Sequence, residues 1–454
     1  MKIVIGVHHF PPHYTGGAEW ETYRIAAALL ARGHQVRLIC VERIDAGSAE
    51  GLTWVDDVYQ GLPVRRLSYN LAASPDPARW EYDNAWVGDH LRQFLLEVQP
   101  DVFHLISGYL LSGRTLHVAR ELGIPAVVSL MDFWFLCPRI SMLRSDGRLS
   151  TLPISAQRCA RCLGEERRLY RWPARVASPL ADLFWRTQTE KTQRLAERAA
   201  FLKQSLALAE VVISRSHFLQ SVHCQAGFGG DRIIFSRQGR DFPDFPASPA
   251  DRPSSPVLRV GYLGQIARHK GVHVLFEAAR RLPDAPLVIR AYGDPAPFPD
   301  YTARLRRLCA QDKRLELMGA CRPQDLADVL RGLDVIVVPS LWYENSPNVI
   351  LEAFAHHTPV IASNLGGMSE LVQDGGNGLL FAPGDAGSLA EQLQRLLREP
   401  GLLPAMRQAS TPIRSVADEV DELEAIYQRL SGARLPPVPV SAGLVGLPVP
   451  ATGQ

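Results

Sequence analysis

The sequence predicts an α/β protein made of two Rossmann-like, doubly wound parallel-sheet domains facing a central cleft. Three observations carry this. Short apolar runs bounded by turn residues alternate with longer stretches of helical period. The alternation stops at a segment rich in Pro, Ser and Asp, Phe242–Pro256, and then restarts. At 454 residues the chain is too long for one ordinary domain. Strand–helix alternation of this kind puts helices on both faces of a mainly parallel sheet.

In order, Lys2–Val7 reads as the first strand, Ala18–Arg32 as an amphipathic helix ended by Gly33, and His34–Val41 as the next strand. Further strands are expected at Pro63–Ser68, Asp101–Ile106, Pro125–Leu130, Glu210–Ser214 and Arg232–Ser236. A helical, basic insertion at about 158–208 interrupts this half. After the linker, strands are expected at Val257–Leu263, Pro286–Tyr292, Arg314–Met318, Asp334–Pro339 and Thr358–Ser363. The helices between them are Val272–Arg281, Tyr301–Gln311 and Pro323–Leu330, with Ser388–Arg398 and Arg414–Leu430 closing. The expected spans are therefore a first domain at 1–241, a second at 257–413, a closing helix at 414–430, and a disordered tail at 431–454. The tail carries five prolines and one charged residue.

Composition narrows the function classes. With 46% hydrophobic and 21% charged residues the chain is of globular type. A net charge of +2 gives no whole-chain case for a nucleic-acid partner, and none is expected. No run of about 18 apolar residues occurs, so no transmembrane helix is expected, and Met1–Val7 is too short for a signal peptide. Seven cysteines, an odd number in a large chain, suit a reducing cytosol better than a disulfide framework, which makes a cytoplasmic location the expectation.

The most informative segment is Trp342-Tyr343-Glu344-Asn345-Ser346-Pro347-Asn348-Val349-Ile350-Leu351-Glu352. Ser346 reads as an N-cap and Pro347 as the first helical residue. Glu344 would then precede the helix, and Glu352 would lie about two turns inside it, roughly 12 Å away at 1.5 Å per residue. That is about the reach from a sugar ring across a diphosphate to a ribose. Between them a helix N-terminus offers amides and a positive dipole end to an anion. The segment also follows a buried apolar run, and ligands of open α/β sheets bind beyond the carboxyl ends of strands.

This pattern resembles the E-x7-E signature of the retaining glycosyltransferases of family 4, which have the two-domain GT-B fold. The resemblance runs from Met1 to about Leu430 and is strongest from Gly261 to Gly378. It implies sugar transfer from a nucleotide-diphosphate sugar with retention at the anomeric carbon. Glu344 would bind sugar hydroxyls near the reacting centre and Glu352 the ribose diol. Asn345, Ser346, Asn348 and Val349 would supply donor contacts at the helix tip. In Gly264-Gln265-Ile266-Ala267-Arg268-His269-Lys270-Gly271, Lys270 matches the family's phosphate-binding lysine. Gln265 stands where the family has Arg, and Arg268 is the candidate to compensate. Backbone around Gly319–Arg322 would line the base pocket.

Other features leave two readings open. Gly16 and Gly17, before the first helix, either let a donor phosphate approach the backbone or only make a tight turn. Asp132 is an acceptor-side carboxylate or a structural one. It follows Met131, where many relatives have His, and His8 and His9 are alternatives to that missing residue. Cys137, Cys159 and Cys162 are one thiolate short of an all-cysteine zinc site, so free cysteines are the preferred reading. No Asp-x-Asp motif marks the donor site, so neither a metal nor another cofactor is expected. Arg158 to Lys203 counts eleven Lys/Arg against five Asp/Glu, interleaved with Leu, Tyr, Trp and Phe. Such a surface suits peripheral contact with an anionic membrane at the inner face of the plasma membrane, or is merely a charged helix covering the domain.

The expected activity is thus transfer from a nucleotide-sugar donor to a glycan or lipid-linked saccharide acceptor in cell-envelope or exopolysaccharide synthesis. The competing readings are an epimerase or phosphorylase on the same fold, and a non-catalytic nucleotide-sugar-binding scaffold.

Overall fold

A computed structural model describes residues 1–45, 51–176, 178–242 and 255–432. Most of the expected linker at 242–256, and all but the first two residues of the expected disordered tail at 431–454, lie outside the described residues.

Two sheets carry the fold. The first has the order β3-β4-β2-β1-β5-β6-β7-β8. Its strands are β1 (Lys2–Val7), β2 (Gln35–Arg43), β3 (Leu52–Tyr59), β4 (Leu62–Tyr69), β5 (Val102–Leu105), β6 (Ala126–Leu130), β7 (Val211–Ser214) and β8 (Ile233–Phe235). The second has the order β11-β10-β9-β12-β13-β14. It is built from β9 (Leu258–Leu263), β10 (Leu287–Tyr292), β11 (Leu315–Gly319), β12 (Val335–Val338), β13 (Val360–Ser363) and β14 (Gly378–Phe381). All five pairings of the second sheet are parallel. In the first, β3 departs from the expected parallel order by pairing antiparallel with β4. The turn between them, Gln60-Gly61, has φ of 50° and 81°. Two successive positive φ values match the twist of a tight hairpin, so the strand folds straight back instead of crossing over. Neither β3 nor β14 was expected from the sequence.

By its contacts the chain forms two compact units, Met1–Ser129 with Ala196–Val212 and Asp421–Gln454, and Leu130–Leu195 with Ile213–Val420. In the first unit the core gathers about β1, where Ile3, Val4, Ile5 and Val7 are fully buried. In the second unit both faces of the sheet are covered. Val335 and Val337 of β12 enter one apolar cluster with the helices Val272–Arg280 and Ala386–Arg398. Ile336 and Val338 enter the other, with the helix Asn348–Ala355. Burial on both faces is why this strand reads as an unbroken apolar run.

Candidate active site

In the second sheet the strand order reverses between β9 and β12. The loops leaving those two neighbours stand at the carboxyl end of the sheet, where ligands of open α/β sheets bind. The loop after β9 carries Lys270 and the loop after β12 carries Glu344. Two backbone features lock them together. The amide of Leu341 donates to the carbonyl of His269 at 2.8 Å. Gly271 has φ +77°, and a Cβ there would lie 1.8 Å from the carbonyl oxygen of Pro339, so only glycine permits the approach.

Lys270 Nζ consequently lies 2.7 Å from Glu344 Oε1. Ser340 Oγ and Trp342 Nε1 donate to the same oxygen, each at 2.7 Å. The Lys270 ammonium also sits 4.9 Å from the centre of the Trp342 ring. Burial by itself pushes the Glu344 carboxyl up. The Lys270 charge and the donors from Lys270, Trp342 and Ser340 outweigh it and hold the group below its ordinary value. Glu344 is thus a fixed carboxylate. Its Oε2 accepts no hydrogen bond among the described residues, and the side chain keeps 12% of its exposure.

The helix after Glu344 starts one residue later than expected. It spans Asn348–Ala355, with Pro347 as N-cap at φ −68°, ψ 119°. Ser346 is not the cap, and its buried Oγ has no partner among the described residues. The amide of Gln238 takes its place in fixing the turn, donating to the Ser346 carbonyl at 2.8 Å and to Asn348 Oδ1 at 3.4 Å. Ile350, Leu351, Ala353 and Phe354 bury the helix in the core, with Val349 packed against that cluster. Glu352 is the fifth helical residue, little more than one turn in. Its carboxylate is ion-paired with Arg240.

Asn345 ties this segment to the loop after β6. Its Nδ2 donates to the carbonyls of Leu130 and Met131 at 3.2 and 3.4 Å, and its Oδ1 accepts from Ser216 Oγ at 2.6 Å. Asp132 therefore lies one residue from a contact of Asn345. Asp132 Oδ1 accepts from the amide of Trp134 at 2.8 Å, a local turn closure. The loop after β13 supports the segment from the other side. The amide of Gly367 donates to the Glu344 carbonyl at 2.8 Å. A Cβ at Gly367 would lie 1.6 Å from the Asn345 carbonyl oxygen.

A cavity of about 430 Å³ opens at the ends of β9, β10 and β11, lined by Ile266, Gly293, Leu317, Met318 and Gly319 among others. Gly319 lines this cavity, whereas Arg322 is exposed, paired with Asp325 at 2.6 Å, and does not line it. Gln265 and Arg268 are both exposed, and neither side chain makes an ion pair or hydrogen bond among the described residues. In the first unit Gly16 caps the helix Gly17–Ala31, and the Glu19 carboxylate folds over it, 2.5 Å from where a Cβ would stand. Burial pushes Glu19 up, but His8, 3.4 Å away, together with a backbone hydrogen bond and His9, more than offsets it. His9 is engaged by the Val41 carbonyl at 2.7 Å and stacks on Tyr14. Cys137, Cys159 and Cys162 form no disulfide and line one small cavity of about 60 Å³. Among the described residues no group of three or more His, Cys, Asp or Glu is arranged to hold a metal ion.

Sequence reasoning thus singled out Lys270, Glu344 and Glu352 but missed their partners. Ser340 and Trp342 stood beside Glu344 and could have been read as its donors. Gln238 and Arg240 lie more than a hundred residues away in sequence and carry no motif.

The family profile "Glycosyl transferases group 1" matches residues 257–399, and "Glycosyl transferase 4-like domain" matches 16–198. The chain is 25% identical over 434 residues to a glycogen synthase of Mycobacterium tuberculosis, spanning 93% of this chain and 91% of the relative. It is 32% identical over 173 residues to a D-inositol 3-phosphate glycosyltransferase of Mycolicibacterium smegmatis, covering 37% of this chain and 40% of the relative. Among solved structures, HepE of Anabaena in complex with UDP and glucose superposes with TM-score 0.61 at 17% identity, over 94% of this chain and 99% of that one. Sucrose-phosphate synthase of Thermosynechococcus elongatus gives 0.62 at 20%, over 95% and 99%. The chain belongs to the glycosyltransferases, with a glycosyltransferase 4-like domain joined to a group 1 domain on a GT-B fold, an arrangement that fits family 4.

Proposed function

We propose that the protein moves a sugar from a nucleoside-diphosphate sugar to a hydroxyl of a glycan or lipid-linked saccharide, with retention at the anomeric carbon and without a metal. In this reading the bond from the anomeric carbon to the donor phosphate breaks, and a bond to the acceptor oxygen forms on the same face. The acceptor proton passes to the departing phosphate. Lys270 and the amides at Ser346–Val349 hold the leaving charge, a preorganised electrostatic role. Oε2 of Glu344 accepts from sugar hydroxyls, and Glu352 from the ribose diol. The cavity ending at Gly319 takes the base. Gly16, Gly17, Asp132, Gln265 and Arg268 remain donor- or acceptor-side contacts in this proposal.

The observation that carries it is the arrangement at Glu344. Three donors, one of them the Lys270 ammonium, converge on one oxygen and leave the other open, beside a helix N-terminus at the sheet's reversal point. Similarity to solved structures bound to UDP and glucose, or to ADP, makes UDP- and ADP-sugars the first donors to try. The acceptor would belong to cell-envelope or exopolysaccharide synthesis, at the cytoplasmic face of the membrane. Seven cysteines without a disulfide fit a reducing compartment. No helix of the described residues is long and apolar enough to cross a membrane.

The test is a thermal-shift screen of nucleoside-diphosphate sugars, followed by NMR of the anomeric configuration in the product. A true donor at about 100 times its dissociation constant stabilises the fold by about 2.7 kcal/mol. Absence of a shift with every donor, or an inverted product, would overturn the reading.

A further inference from the structure

Two consecutive helices in the second unit, Arg168–Val176 and Ser178–Thr187, turn large apolar side chains to solvent. Leu169 and Trp172, three residues apart, are 75% and 71% exposed; Leu180, Leu183 and Phe184 are 68%, 59% and 41% exposed. Spacings of three and four put each set on one helical face. These faces are not a loosened core. Trp185, next to Phe184, is 2% exposed, and its ring fills the space above Gly164, where a Cβ would meet it at 1.9 Å. The helices are therefore seated by one side and bare on the other.

The charges around them are lopsided. Glu165, Glu166, Asp182 and Glu190 are each matched to an arginine: Arg161, Arg139, Arg161 and Arg194 respectively. Arg167, Arg168, Arg186 and Lys191 are exposed and make no ion pair among the described residues. Lys191 rests instead over the Trp185 ring at 5.3 Å. Unspent cations bordering bare Leu, Trp and Phe match an interface that is apolar below and negative at its surface. A second copy of the same face would bring like charges together, which disfavours a symmetric dimer.

We propose that the surface formed by Leu169, Trp172, Leu180, Leu183 and Phe184, with its rim of Arg167, Arg168, Arg186 and Lys191, docks on an anionic lipid bilayer. The proposal deepens the reading above, in which the acceptor is a glycan or a lipid-linked saccharide, toward the lipid-linked case. Vesicle binding is measured without donor or acceptor, so either reading can fail while the other stands.

The experiment is co-sedimentation of the full chain with phosphatidylcholine vesicles, with and without phosphatidylglycerol. Binding is expected with the anionic vesicles only, and it should weaken as salt shortens the Debye length below about 10 Å. The variant Leu169→Ser/Trp172→Ser/Leu183→Ser should lower the bound fraction about ten-fold or more. So should Arg167→Gln/Arg168→Gln/Arg186→Gln/Lys191→Gln, which changes only exposed side chains and guards against a folding artefact. Equal binding to neutral vesicles, or none to either, would refute the proposal. Concentration-dependent dimerisation abolished by the apolar variant would also refute it, showing that the face meets a second copy.

Discussion

Lys270 Nζ and Glu344 Oε1 stand 2.7 Å apart although 74 residues separate them in sequence. The pair exists because two loops leave neighbouring strands at the reversal of the second sheet, and because Gly271 lets one loop pass within contact of the other. Lys270→Ala and Glu344→Ala should each lower transfer about 100-fold or more, the scale of losing a charge-stabilising group. Since each partner also relieves the burial of the other, Lys270→Met with Glu344→Gln should cost less stability than the two single changes summed, with a coupling of about 1 kcal/mol or more. Urea denaturation of the four proteins measures this; strict additivity would show that the pair does not act as a unit.

Arg240 holds the Glu352 carboxylate and packs over the Phe242 ring at 5.5 Å. If Glu352 receives the ribose diol, Arg240 is a positioning residue for it. Arg240→Met should then raise KM for the donor about ten-fold, near 1.4 kcal/mol, while leaving kcat within about two-fold. A large fall in kcat with unchanged KM would place the effect elsewhere.

Gly271 and Gly367 are held by close approach, not by any ligand. Gly271→Ala must move the Pro339 carbonyl and also adopt φ +77°; Gly367→Ala must move that of Asn345. Each should destabilise the protein by about 1–3 kcal/mol, the scale of forcing an extra group into filled space. Melting temperatures unchanged by both substitutions would show that the loops are not packed as described.

His223 is fully buried, and burial drives its pKa down from 6.5 to about 4, although the hydrogen bond to the Leu219 carbonyl raises it. Between those two values the unfolded chain binds a proton that the folded protein does not. Stability should therefore fall as pH is lowered through this window, by up to about 1.4 kcal/mol per pH unit from this residue, and be unaffected by it above pH 6.5. His223→Leu should remove that part of the slope. Denaturation curves collected across the window, with identical slopes for both proteins, would contradict the assignment.

Most strands were legible because each is a short apolar run closed by a turn residue. Val335–Val338 was plain for that reason, as both its faces are buried. Leu52–Tyr59 was not. It is an edge strand with Trp54, Val55 and Val58 exposed beside Asp56 and Asp57, so neither a buried run nor a clean alternation marks it. The helix start was misjudged because Ser346 and Pro347 satisfy the local cap preference, whereas Gln238, from a distant segment, decides the turn.

By itself the sequence determined the two-sheet α/β class and marked Lys270, Glu344 and Glu352 as a set, since strand period and residue type are local properties. Tertiary structure alone decided which oxygen of Glu344 is spent, that Arg240 engages Glu352, and that Arg322 stands off the cavity beside Gly319. Those outcomes depend on where loops far apart in sequence converge. Hydrogen bonds act within about 3 Å, a distance that spacing along the chain does not encode.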